Sequence, residues 1–144
     1  MKPRTQVAAL PFVISKKSCK ILLITSRETN RWIIPKGWPS SSRPPHRQAA
    51  REAYEEAGLV GVTGKRPLGS YKYQKVLDDG SAVPCVVTVF PMLVAKQARK
   101  WPEKGQRKSR WLKPSDAAVL VDEKDLTRLL RSFKPPTYLL AKAA

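Results

Sequence analysis

Apolar and polar positions along this chain alternate in two rhythms, one of strand length and one of helical period. The N-terminal Val7-Ala8-Ala9-Leu10, interrupted by Pro11, reads with its flanks as a first strand. Residues 19–26, CKILLITS, are a second apolar run, and Trp32-Ile33-Ile34 is a third after the polar turn Glu28-Thr29-Asn30; both predict neighbouring strands of a buried sheet. Pro35 to Gly37 is expected to turn, and Pro39, Pro44 and Pro45 with three serines make 38–45 a loop. A helix opens at Pro45 or His46 and ends at Gly58. Residues 61–69 read as a polar connection, Ser70 to Val76 alternates as a strand, Asp78-Asp79-Gly80 marks a hairpin, and the β-branched run Pro84 to Phe90 returns. Lys72 and Lys75 fall on opposite faces of their strand, so at most one reaches a site. A basic loop from Ala98 runs into a short strand at Arg110-Trp111-Leu112, and helices begin near Ser115 and at Glu123, the latter with leucines at 126, 129 and 130 on one stripe. The tail beyond Lys134-Pro135-Pro136 is expected to be peripheral.

The pattern is that of an α/β protein, and 144 residues suit one domain, 1–144, burying about two thirds of its unfolded surface without disulfides. Cys19 and Cys85 lie far apart in apolar surroundings, as reduced thiols of a cytosolic protein would. The basic residues Lys2 and Arg4 before a short apolar run imitate a leader peptide, but Pro11 breaks the run and no cleavage-like site follows. No segment approaches the roughly 18 apolar residues needed to span a bilayer, so a cytoplasmic location is expected and no membrane partner.

Charge adds the next constraint. Lysine and arginine number 28 against 11 aspartates and glutamates, a net +17. Such a surface attracts nucleic acid, an acidic membrane or a highly phosphorylated small molecule without choosing between them, and a solvated basic surface also accounts for it. No helix-turn-helix or RNA-recognition motif stands out, so nucleic acid is the less favoured partner.

Against that basic background, Arg51-Glu52-Ala53-Tyr54-Glu55-Glu56-Ala57-Gly58 concentrates three carboxylates in two helical turns. At 100° per residue, with Arg51 at zero, Glu55 falls near ~40°, Glu52 near ~100° and Glu56 near ~140°, on one face. Ala50, Ala53 and Ala57 fall opposite, where small side chains let a helix approach a sheet. Like-charge repulsion between Glu52 and Glu56 at i,i+4 costs about 0.2–0.5 kcal/mol, which a divalent cation would remove. Carboxylates are hard ligands suited to Mg²⁺ or Mn²⁺. A solvated acidic face is the other account of these residues alone.

The flanks bear on that choice. Gly37 stands fourteen residues before Arg51, and Arg51, Glu52, Ala53, Glu55, Glu56, Gly58 and Leu59 follow in register. The stretch resembles the Nudix box: Gly, five residues, Glu, seven residues, then Arg-Glu-aliphatic-x-Glu-Glu-x-Gly-aliphatic. One position departs, since Arg43 stands where the first Glu belongs, with Pro44-Pro45 after it. The flanking Arg31-Trp32-Ile33-Ile34-Pro35, Trp101-Pro102-Glu103 and Arg107-Lys108-Ser109-Arg110-Trp111 look like the diphosphoinositol polyphosphate phosphohydrolase branch, whose members also cleave diadenosine polyphosphates.

The resemblance implies an α/β/α sandwich around a mixed sheet and metal-dependent hydrolysis of a pyrophosphate linkage. It implies Glu55 and Glu56 as principal ligands of Mg²⁺ or Mn²⁺, Glu52 as ligand or base, the Gly37 carbonyl as a further oxygen, and Arg51 as the residue orienting the carboxylates. Arg27, Lys36, Arg107 and Arg110 are candidates for substrate phosphates, and so is Arg43 if its loop lies at the mouth. Glu103 is a candidate base or extra ligand and equally a salt-bridge partner. His46, near ~220° on the alanine side, is expected to be structural. A rival reading is a catalytically weak basic Nudix-fold module that binds RNA or phosphorylated metabolites, for which Arg43 is the motive. A monomer is expected over a homodimer.

Overall fold

A computed structural model describes residues 2–16 and 18–143. Met1, Lys17 and Ala144 of the expected 1–144 span lie outside the described residues. Twelve elements follow in the order β1 (Arg4–Ser15), β2 (Ser18–Thr25), β3 (Trp32–Ile33), β4 (Lys36–Gly37), α1 (Pro45–Ala57), β5 (Leu59–Thr63), β6 (Gly69–Val76), β7 (Ala82–Gln97), β8 (Ser109–Leu112), α2 (Pro114–Ala118), α3 (Lys124–Arg131) and α4 (Thr137–Ala143).

The strands form one mixed sheet with β1 and β7 at its centre, running parallel from Arg4 opposite Cys85 to Phe12 opposite Leu93. Strand β1 takes two partners on its other side, β4 at Val7 and Ala8 and β2 from Phe12 onward. Pro11, which cannot donate to a ladder, falls where the partner changes, so the strand passes through it unbroken.

Both faces of the sheet are buried, as a two-sided apolar run demands. Val7, Ala9, Leu22, Ile24, Phe90 and Met92 point to α1. Ala8, Leu10, Phe12, Ile21, Leu23, Val87 and Val89 point to α2, α3 and α4. The result is helix, mixed sheet, helices, in three layers. Helix α1 sits close because its packing stripe is Ala49, Ala53 and Ala57, all nearly inaccessible. Ala50, expected on that stripe, is only half-buried; the packing face is centred one residue earlier. Pro45 opens the helix, and Gly58 closes it in the left-handed region at φ 72°, its N–H bonding to the carbonyls of Ala53 and Tyr54.

Three expectations change. The start of the expected 61–69 connection, Gly61 to Thr63, is strand and belongs to β5: β7 extends to Gln97, and its far half offers a free edge that β5 takes, with a bulge at Val60 and Gly61. Outward-facing Val60 and Val62 and a glycine between them mask the alternation. Lys36–Gly37 is a short strand on β1, not only a turn. The tail forms α4, and its Leu139 is fully buried in the core that Phe12 and Leu130 share. Among the described residues no helix is long and apolar enough to cross a membrane.

Candidate active site

Helix α1 grades its three acids by depth. Glu56, one step round from the alanine stripe, is 7% exposed; Glu52 is half-buried, and the Glu55 side chain is 33% exposed. The outermost acid is taken up by Arg51, whose Nε stands 2.8 Å from Glu55 Oε1 while its guanidinium lies 5.2 Å from the Tyr54 ring. Glu52 accepts from Gln48 Nε2 at 3.1 Å, and Gln48 Oε1 accepts from Arg43 at 3.2 Å. Arg43 therefore backs Glu52 through Gln48 from outside the cavity. Opposite, Gly37 packs so tightly on the Glu52 carboxylate that any side chain at 37 would run into it. Its neighbour Lys36 donates its backbone N–H to Glu56 Oε1 at 3.3 Å.

The second wall is the 98–108 loop, held to the end of α1 by a series of backbone contacts. Ala98 N–H reaches the Gly58 carbonyl at 2.7 Å, Glu103 N–H reaches the Glu55 carbonyl at 3.0 Å, and Gln97 Nε2 reaches the Ala57 carbonyl at 3.0 Å. Trp101 lies directly on Gly58, leaving no room for a Cβ there. So anchored, the loop delivers Arg107, whose side chain is 9% exposed, into the interior. Arg107 donates to the Thr25 carbonyl at 3.0 Å and to Glu103 Oε1 at 2.9 Å, and its Nη2 stands 3.9 Å from Glu56 Oε1. Arg27 reaches Gln106 at 3.1 Å and lies 3.7 Å from Glu103.

Between these walls lies a cavity of about 470 Å³ lined by Arg27, Arg31, Lys36, Lys75 and Arg107 around Glu52, Glu56 and Glu103. Glu55, Arg51, Arg43 and Arg110 are not on its lining; Arg110 stands over the Trp32 ring at 5.9 Å. His46 sits on the far side of α1 with its ring 6.4 Å from that of Phe90. Of the two β6 lysines, Lys75 lines the cavity and Lys72 does not. Tyr73, on the same face as Lys75, hydrogen-bonds to buried Gln6, and Lys36 Nζ lies 4.8 Å from its ring. Gln6, Gln48 and Tyr73 escape sequence reasoning. A glutamine in an apolar strand and the two-residue spacing of Tyr73 and Lys75 are the signals that point to them.

Burial pushes Glu56 up to about 8, the charge of Glu52 adding to the effect and Arg107 opposing it. Burial, then the charge of Glu55, also raises Glu52. Burial lowers Lys36, with Glu56 opposing. Among the described residues no three His, Cys, Asp or Glu side chains converge into a finished metal cage. The donor set nonetheless fits a hard divalent cation that keeps most of its coordination for water and phosphate: two carboxylates, one of them buried with its charge incompletely balanced.

Comparison with known proteins agrees with this arrangement. The NUDIX domain model matches residues 3–133. Nudix hydrolase 12, mitochondrial, of Arabidopsis thaliana is 28% identical over 79% of this chain and 58% of its own length. Diphosphoinositol polyphosphate phosphohydrolase 3-alpha of Mus musculus is 30% identical over 82% of this chain and 69% of its own. The chain thus spans between about half and two thirds of the length of the curated relatives it matches. The crystal structure of a C. elegans Ap4A hydrolase shares the fold, with a TM-score of 0.64 at 15% identity over 99% of this chain and all of that one. With the family's model covering nearly the whole chain, and with Gly37, Glu52 and Glu56 of its box lining one cavity, this protein belongs to the Nudix family.

Proposed function

We propose that this chain hydrolyses a pyrophosphate linkage in a phosphate-rich small molecule: a nucleoside diphosphate joined to another group, a dinucleoside polyphosphate or an inositol pyrophosphate. The observation that carries the reading is the pairing of Glu52 and buried Glu56 in one cavity beneath Arg27, Lys36, Lys75 and Arg107. Relatives named for diphosphoinositol polyphosphates and for Ap4A support the substrate class.

A pyrophosphate bridge resists attack because its anionic oxygens repel hydroxide. The cationic lining would draw the phosphates in and hold them in a fixed orientation, with less solvent to reorganise than in water. Glu56 and the Gly37 carbonyl would hold Mg²⁺ or Mn²⁺, with Glu55 alongside, steadied by Arg51. When bound, such an ion neutralises phosphate charge and lowers the pKa of water. Glu52, which lines the cavity and accepts from Gln48, would take the water's proton. Glu103, paired with Arg107 and Arg27, serves to hold the two arginines rather than as the base. The chain acts as a monomer, since +17 on each copy opposes self-association. Its free thiols, Cys19 and Cys85, suit a reducing compartment, and the cytoplasm is the one we propose.

A panel of these substrates with Mg²⁺ or Mn²⁺, run on the wild type, Glu56→Gln and Glu55→Gln, tests the reading. Turnover of at least one substrate, abolished by Glu56→Gln, is expected. No turnover on any of them, together with tight, salt-sensitive RNA binding that Glu56→Gln leaves unchanged, would overturn it in favour of a basic RNA-binding module.

A further inference from the structure

We propose that Trp38 and the cavity beside it form a nucleobase subsite, so that the substrate carries a nucleoside, not an inositol, on one side of its phosphates. The inference rests on the pyrophosphohydrolase reading and narrows it. Trp38 directly follows Gly37 and is 41% exposed, its indole facing space rather than core. A second cavity of about 500 Å³ adjoins the first, lined by Arg4, Trp38, Lys75, Leu77, Asp78 and Asp79. Trp38, Lys75 and Asp78 line both, so the two spaces share a wall.

The chemistry changes across that wall. The first cavity is ringed by cations and suits phosphate. The second offers an indole surface, the apolar edge of Leu77 and two carboxylates balanced by Arg4 and Lys75. Ionised carboxylates only accept hydrogen bonds, and the exocyclic amine and ring N–H of a base only donate. Asp79 is already engaged by Ser81, through its N–H at 2.9 Å and its hydroxyl at 2.6 Å, which leaves Asp78 as the acid at the shared wall. Lys75 Nζ lies 5.8 Å from the Trp38 ring and lines both spaces, placed to meet the phosphate next to a stacked base. A densely phosphorylated inositol has no flat π-face to set against the indole.

Calorimetric binding without divalent cation separates this subsite from catalysis. The probes are ADP, inorganic tripolyphosphate and inositol hexakisphosphate, each titrated into the wild type, Trp38→Ala and Trp38→Phe. ADP should lose about tenfold in affinity with Trp38→Ala, the worth of one base–aromatic stack, and recover most of it with Trp38→Phe. Tripolyphosphate and inositol hexakisphosphate should bind all three alike. Equal losses for ADP and tripolyphosphate, or no loss for ADP, would overturn the subsite. Absence of turnover in the substrate panel bears on the hydrolase reading alone, because these titrations need no reaction.

Discussion

Helix α1 and the 98–108 loop build opposite walls of one cavity, and they do so by different physics. The helix carries its acids at spacings that any α-helix would present on one side, so local geometry alone aims them. The loop has no such period. It is fastened to the end of α1 by backbone hydrogen bonds from Ala98 and Glu103 and by Trp101 on Gly58, and to β2 by hydrogen bonds of Arg107 and Lys108 with Thr25; together these bring Arg107 within 3.9 Å of Glu56. One wall is set by neighbours in sequence and the other by residues some fifty positions away. In the proposed reaction the acids would supply the chemistry, while Arg107 of the loop offsets part of the burial that raises Glu56.

The comparison can be broken from either side. On the helix, Glu56→Gln removes the buried carboxylate while keeping its shape, and kcat/KM should fall about a thousandfold, a loss in keeping with several kcal/mol of metal-borne charge stabilisation. On the loop, Arg107→Ala leaves Glu103 and the Thr25 carbonyl without their shared donor and Glu56 without its neighbouring cation, and urea denaturation should show about 3 kcal/mol of lost stability. Arg107→Lys should recover only part of it, since an ammonium cannot reproduce the fork. If Arg107→Ala proves as stable as the wild type, the loop is a passive cover rather than a wall.

The pH dependence follows from the same pairing. Glu56 titrates at about 8 in the folded chain against an ordinary value of 4.5, so between those values the folded state keeps a proton that the unfolded state has released. Stability of the metal-free protein should therefore fall as pH rises through that window, by about 1 kcal/mol per pH unit, and level off above it. Glu52, raised in the same direction, adds to the slope. Thermal melts of wild type and Glu56→Gln across pH 5–8.5 check this, and the variant should show a flatter profile. The smallest effect belongs to Arg43, which is exposed and reaches Glu52 only through Gln48. Arg43→Ala should change stability by less than about 0.5 kcal/mol and turnover by less than about threefold. A larger drop would mean that Arg43 touches substrate.

Much of this was legible from the chain itself. Apolar runs at 19–26 and 84–90 and the proline- and glycine-bounded helix from Pro45 to Gly58 announce strands and helix because each signal is local. Strand β5 was hidden because its partner, the far half of β7, decides whether Leu59–Thr63 pairs at all. The segment of α4 reads as peripheral in the sequence because nothing in Lys134-Pro135-Pro136 shows that Leu139 finds a core pocket. At the site, the box pointed to Gly37 and the three glutamates. Gln6, Gln48 and Tyr73 were invisible, each meaningful only through a partner brought in by the fold.

That three carboxylates and a guanidinium share one side of a helix whose alanines seat it on a sheet follows from the order of residues alone, because helical phase is a property of neighbouring residues. Only the tertiary structure decided that Glu56 would be buried, that Arg51 would occupy Glu55, that Arg43 would stand behind Gln48 and that Arg107 would face the acids. Burial and long-range charge depend on which distant segments close over a residue, and that is settled by packing and backbone pairing across the whole domain.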